Sequence, residues 1–137
     1  MSVIYVARSK SLSDWGAGVG ISKSLFKVGI CEGSAKQAVA ALNEQEYAKA
    51  TDWTLVKAET EDALGEAEML ERLAARQTLL DPNYYPRLRG ATGIFRVRPE
   101  AVENSVLLEK ALAGVQSLNI TIKPADFAAY LFKIARG

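Results

Sequence analysis

Histidine is absent from the chain, and cysteine occurs once, as Cys31. The lack of histidine excludes Ser-His-Asp and Cys-His catalysis and every His-ligated metal site. A general acid or base must then be Asp, Glu, Lys, Tyr or the single Cys. Any metal would be a hard cation held by carboxylates, carbonyls and water. One cysteine allows neither an internal disulfide nor a thiolate zinc site, which fits a reducing, cytoplasmic setting. Long apolar runs are missing too. Val3 to Ala7 is too short for a signal-peptide core and runs into Arg8 and Lys10, and no stretch reaches the length of a membrane span. With a formal net charge of +1 the chain has no global pull toward nucleic acid, so such binding would need a local patch.

Enough apolar material is present to build a real core. Hydrophobic residues make up 49% and charged residues 24% of 137 positions, the profile of one ordinary globular domain. A chain of this length buries roughly two-thirds of the surface it exposes when unfolded. Residues 2–8 are β-branched and aromatic and read as a strand. The Gly- and Ser-rich stretch Ser9 to Ser24 reads as a long loop, and Leu25 to Ile30 as a second strand. Ser34 is placed to cap a helix whose apolar stripe is Ala35, Ala38, Val39 and Leu42. A third strand is expected around Trp53 to Ala58. A helix then starts at the acidic Thr60-Glu61-Asp62 and runs to about Gln77, with Ala63, Ala67, Leu70 and Ala74 inward.

Asp81-Pro82-Asn83 marks a turn, and Ile94 to Arg98 a short strand. Pro99 and Gly114 bracket another helix. A strand at Leu118 to Ile122 and a helix opening at Pro124 complete the chain, the latter with an apolar seam of Phe127, Leu131 and Ile134. Strands and helices that do not alternate strictly argue for α+β: a small antiparallel sheet flanked by helices. Residues 1–114 are expected to form the main unit, and residues 115–137 an extension packed on it.

Four features invite a chemical reading. Gly16, Gly18 and Gly20 followed by Lys23-Ser24 suggest a phosphate loop. However, Ser22 precedes the lysine and a strand follows, so the NTPase spacing fails. Pro82 to Pro99 holds Arg87, Arg89, Arg96 and Arg98 with no acid, beside Tyr84 and Tyr85. Guanidinium forks and aromatic rings together suit phosphates and bases, though a solvated face has the same composition. Cys31 has no acid-base partner nearby in sequence and reads as a packing residue. Glu68 pairs with Arg72 at helical spacing, whereas Glu66 lies at the edge of its helix's apolar stripe, where a carboxylate can face a cleft.

In this order the segments resemble the phage-type branch of the GIY-YIG nuclease superfamily, over about residues 2–112. Val3-Ile4-Tyr5 stands for the first motif and Phe26-Lys27-Val28-Gly29 for the second. They are followed by the helix ending Leu42-Asn43, the strand Trp53 to Val56, Glu66 on its helix, and Gly93 to Val97 leading into Pro99-Glu100. The resemblance implies metal-dependent hydrolysis of a DNA phosphodiester, with Mg²⁺ or Mn²⁺ on Glu66 and Tyr5 positioning the attacking water. This chain departs from the pattern at three positions. Phe26 replaces the second tyrosine, Ala38 the helix arginine, and Gly93 the acid of the closing strand, with Lys36 or Lys23 as substitute cations. Three readings follow. One is a degenerate domain that binds nucleic acid through Arg87, Arg89, Arg96, Arg98 and Tyr84. The second is an endonuclease with rearranged groups. The third is a protein-interaction module, with a homodimer through the Phe127 seam.

Overall fold

A computed structural model describes residues 2–21, 23–80, 85–88, 91, 93–114 and 122–136. Five strands form one sheet: β1 (Ser2–Ser9), β2 (Leu25–Glu32), β3 (Trp53–Thr60), β4 (Thr78–Leu79) and β5 (Ile94–Arg96). Their order is β3-β1-β2-β5-β4, and every ladder is antiparallel. The helices are α1 (Lys10–Gly18), α2 (Ala35–Glu44), α3 (Glu66–Ala74), α4 (Pro99–Leu112) and α5 (Pro124–Arg136). The α+β architecture expected from the sequence is therefore the one the chain adopts.

Side-chain alternation along β1 and β2 splits the core into two layers. Ile4, Val6, Phe26 and Val28 meet Met69 and Leu73 of α3, Val102 of α4, and Phe127, Ala128, Leu131, Phe132 and Ala135 of α5. Tyr5, Ala7 and Leu25 face the opposite way, against Leu12 of α1, Ala35, Val39 and Leu42 of α2, and Trp53. The C-terminal helix is thus part of the main core. Its Phe127 stacks on Phe26 with centroids 4.9 Å apart. Of the seam Phe127, Leu131 and Ile134 expected to form a dimer, Phe127 and Leu131 are buried in the molecule's own core and Ile134 is half-buried.

Three expectations need correction. The segment read as a loop from Ser9 holds α1: Ser9 Oγ accepts from Leu12 N–H, and Asp52 accepts from Ser11 N–H and from the Ser9 and Ser11 hydroxyls. That brace comes from far along the chain, so no local pattern announces it. Second, α3 begins at Glu66, because Thr60 is spent on the β3 ladder and Glu61 and Asp62 are used outside the helix. Its buried side chains are Met69 and Leu73, while Ala67 and Ala74 are exposed, because a large side chain gains more from burial than an alanine. Third, β5 stops at Arg96, and Arg98 becomes the residue capping α4. The expected turn at 81–83 and most of the expected strand at 118–122 lie outside the described residues.

Candidate functional site

The register decides which side chains share a surface. Residues paired across an antiparallel ladder point to the same face. Tyr5 pairs with Gly29, Ala7 with Lys27, and Lys27 with Ile94. Lys27 is therefore on Tyr5's side of the sheet. Phe26 is on the other, stacked into the α5 layer. A tyrosine at position 26 would not reach Tyr5's face at all, so the residue to compare on that face is Lys27.

The Tyr5 ring lies flat across Gly29. A Cβ on Gly29 would stand 2.7 Å from the Tyr5 hydroxyl oxygen, closer than any neighbour tolerates, so the glycine makes room for the ring. Gly93 does the same for the lysine. At φ +76° it occupies the left-handed region, and a Cβ there would come within 2.8 Å of the Val28 carbonyl oxygen and 2.9 Å of Lys27 Nζ. The acid that the resemblance expects at Gly93 would collide with this arrangement.

Tyr47 closes the same side. Its ring takes Lys27 Nζ at 5.0 Å from the centroid, a cation–π contact, while Lys27 as a residue is buried. Tyr47 stands in a tight turn whose flanking residues Glu46, Ala48 and Lys49 all have positive φ, a strained backbone for side chains of this kind. Two contacts hold the turn. Trp53 Nε1 donates to the Tyr47 carbonyl at 2.9 Å, and Arg87 donates to the carbonyls of Ala48 and Lys49 at 3.1 and 3.3 Å.

Glu66 approaches from α3. The β5 ladder runs along β2 from Leu25 to Lys27, Val28 N–H donates to the Gly93 carbonyl at 2.9 Å just beyond it, and Leu70 of α3 comes up beside Gly93. Burial chiefly, then the charges of Cys31, Glu66 and Tyr47, push the Tyr5 phenol up to about 12. Among these causes Glu66, exposed on α3, ranks behind burial and Cys31. At neutral pH Tyr5 is a hydrogen-bonding group and no base. Burial, then Glu32, also raises the Cys31 thiol, which leaves it a poor nucleophile.

The remaining sequence candidates fall elsewhere. Ala38 is half-buried against the α2 layer, and Lys36 on the same helix is exposed. Lys23 lines a separate hollow with Arg8 and Ser24. Arg87 is committed to the Tyr47 turn and lies over the Trp15 ring, at 5.7 Å. Arg96 and Arg98 line a different part of the surface, and Arg89 and Tyr84 lie outside the described residues. Of the described arginines, Arg96 and Arg98 share two hollows that Arg87 does not line.

Sequence reasoning passed over Lys27 and Tyr47. A charged residue in the middle of the apolar run LFKVGI was the available signal for Lys27, whereas Tyr47 depends on a turn held by distant residues. Among the described residues no three or more acidic or thiol side chains gather to hold a metal ion. Glu66 alone suits only an ion that keeps most of its water and is completed by a substrate phosphate, the manner of Mg²⁺. Also among the described residues, no helix is long and apolar enough to cross a membrane. Comparison with protein-family models, curated proteins and solved structures finds no match to this chain.

Proposed function

We propose that this chain is a GIY-YIG-like domain that binds nucleic acid and cleaves it weakly or not at all, in a cytoplasmic setting. The observation that carries this reading is Tyr5 on β1 of an antiparallel sheet, with Glu66 opening the helix α3 and contributing to the raised Tyr5 phenol. These are the two residues that the resemblance singles out, they lie far apart in sequence, and the carboxylate of one helps to raise the phenol of the other. The antiparallel sheet and its order of elements also agree with the reading.

Weak chemistry follows from what surrounds the pair. A phenol raised to about 12 is far from the pH where a general base works best. At position 26, where the resemblance expects the second tyrosine, Phe26 points into the opposite layer and offers no hydroxyl to a water. The helix arginine is absent, and losing one charge-stabilising donor typically costs a hundredfold or more in rate. Mg²⁺ or Mn²⁺, if recruited, would sit on Glu66 and polarise a substrate phosphate there.

A second reading, a metal-dependent endonuclease with rearranged groups, gains support from Lys27, a cation on Tyr5's own face. A nicking assay on supercoiled plasmid with Mg²⁺ or Mn²⁺ decides between the two. The first reading predicts little or no nicking above background. Fast nicking that Glu66→Ala and Lys27→Met both abolish would establish the second and overturn the first. Nicking that persists in Glu66→Ala would come from a contaminant.

A further inference from the structure

Three of the described arginines are spent on internal partners, and the exposed Arg8 stands apart beside Lys23. Arg72 donates to the Ala135 carbonyl and to Glu68, Arg87 to the Tyr47 turn, and Arg136 to Glu59 and Glu61. Three others are not. Arg76 just beyond α3, Arg96 at the end of β5 and Arg98 at the start of α4 line one hollow of about 300 Å³, together with Gln77, Thr78 and Tyr130. Among the described residues none of the three forms an ion pair. No acid lines this hollow.

The hollow does not end there. A second one, of about 360 Å³, shares Arg76, Ala101 and Tyr130 with it and continues between α4 and α5 to Ser105 and Lys133. Lys133 is exposed, and its one ion pair, to Glu109 at 3.9 Å, is long and solvent-screened. The result is an elongated track with cations at both ends and no acid on its lining.

Two details point to an anion as the occupant. Arg98 stands at the N-terminal end of the α4 dipole, where a cation is disfavoured and an anion is welcomed. Phosphate oxygens can accept from several guanidinium forks grouped here, whose nearest acid, Glu100, borders Arg96 and Arg98 from an adjoining hollow. In the middle of the track the Tyr130 hydroxyl accepts from Gln77 Nε2 at 3.2 Å, a bond from a buried amide that fixes the ring. A fixed aromatic ring between cations is the arrangement on which bases of a single strand stack.

We infer that the Arg76–Arg96–Arg98–Lys133 track binds phosphate groups, those of a single nucleic-acid strand lying along α4 and α5 with a base on Tyr130. The strand as the source of the phosphates rests on the function proposed above, whereas the affinity of the track for phosphate does not.

The test uses the full chain and its exposed-arginine variant Arg76→Gln/Arg98→Gln, with Lys10→Gln, on α1, as control. Anisotropy of a short labelled single strand is measured across salt concentrations, and inorganic pyrophosphate is titrated separately by ¹H–¹⁵N NMR. The expected result is salt-dependent binding of the strand in the full chain and in Lys10→Gln. In the double variant the salt slope falls by about 1.4, the loss of two contacts at about 0.7 each. Equal binding of the strand by the full chain and the double variant would overturn the track and leave nucleic-acid binding standing. Pyrophosphate shifts at Arg76 and Arg98 without strand binding would uphold the track and remove the nucleic-acid reading. Binding of neither ligand would overturn both.

Discussion

The chemistry of the Tyr5 face is set by single residues and their neighbours. Its phenol is raised to about 12 while the unfolded chain titrates near the ordinary tyrosine value of about 10. Between those values the unfolded chain has lost a proton that the folded protein keeps, so stability falls as pH rises. This contribution is complete below about pH 10 and gone above about pH 12. Denaturant melts from pH 9 upward check it: Tyr5→Phe is expected to flatten the decline across that window, and an unchanged slope would mean that other groups carry it. Gly29 and Gly93 belong to the same scale. Both appear in sequence as strand or turn glycines, but their reason is the bulk of Tyr5 and of Lys27 lying against them.

Among the elements, α2 and β3 were readable because their signals are local: a serine cap, an apolar stripe, a β-branched run. What joins them is one side chain. Asn43, in the last turn of α2, donates to the Trp53 carbonyl at 3.1 Å and accepts from its N–H at 2.7 Å. Asn43→Ala leaves both groups without their partner and is expected to cost about 1–3 kcal/mol, read as a lower denaturation midpoint. The same loss frees the start of β3, and with it the Trp53 indole that steadies the Tyr47 turn. Helix α1 was illegible for the converse reason, since its brace, Asp52, precedes β3 and acts only once the sheet has formed. Burial opposes the charge of Asp52, but its serine hydrogen bonds prevail and hold the carboxyl below the usual range. For α3 the acidic signal was real and misplaced, because ladder pairing claimed Thr60 first.

At the scale of the whole molecule, two layers divide the work. One is closed by α3, α4 and α5, and the other carries Tyr5, Lys27 and Tyr47. The α+β class and the elements β1, β2, α2 and β3 could be read from the sequence. The face on which each side chain emerges could not, because it depends on a register that a one-residue slip reverses. That is why Phe26 stood as a site position and Lys27 did not. The buried contacts of α5 give a further prediction: Phe127→Ala is expected to cost about 3–5 kcal/mol. Deleting residues 124–136 should unfold the domain and not merely alter its oligomeric state, which circular dichroism and light scattering together distinguish.

The account depends most on Glu66 acting across space on Tyr5. A ¹³C-tyrosine NMR titration, with Tyr5 assigned through Tyr5→Phe, measures this directly. The Tyr5 phenol is expected to titrate near 12 in the full chain, and at a lower pH in Glu66→Gln, because an anion that disfavours the phenolate has been removed. A midpoint that does not move in Glu66→Gln would contradict the shared site.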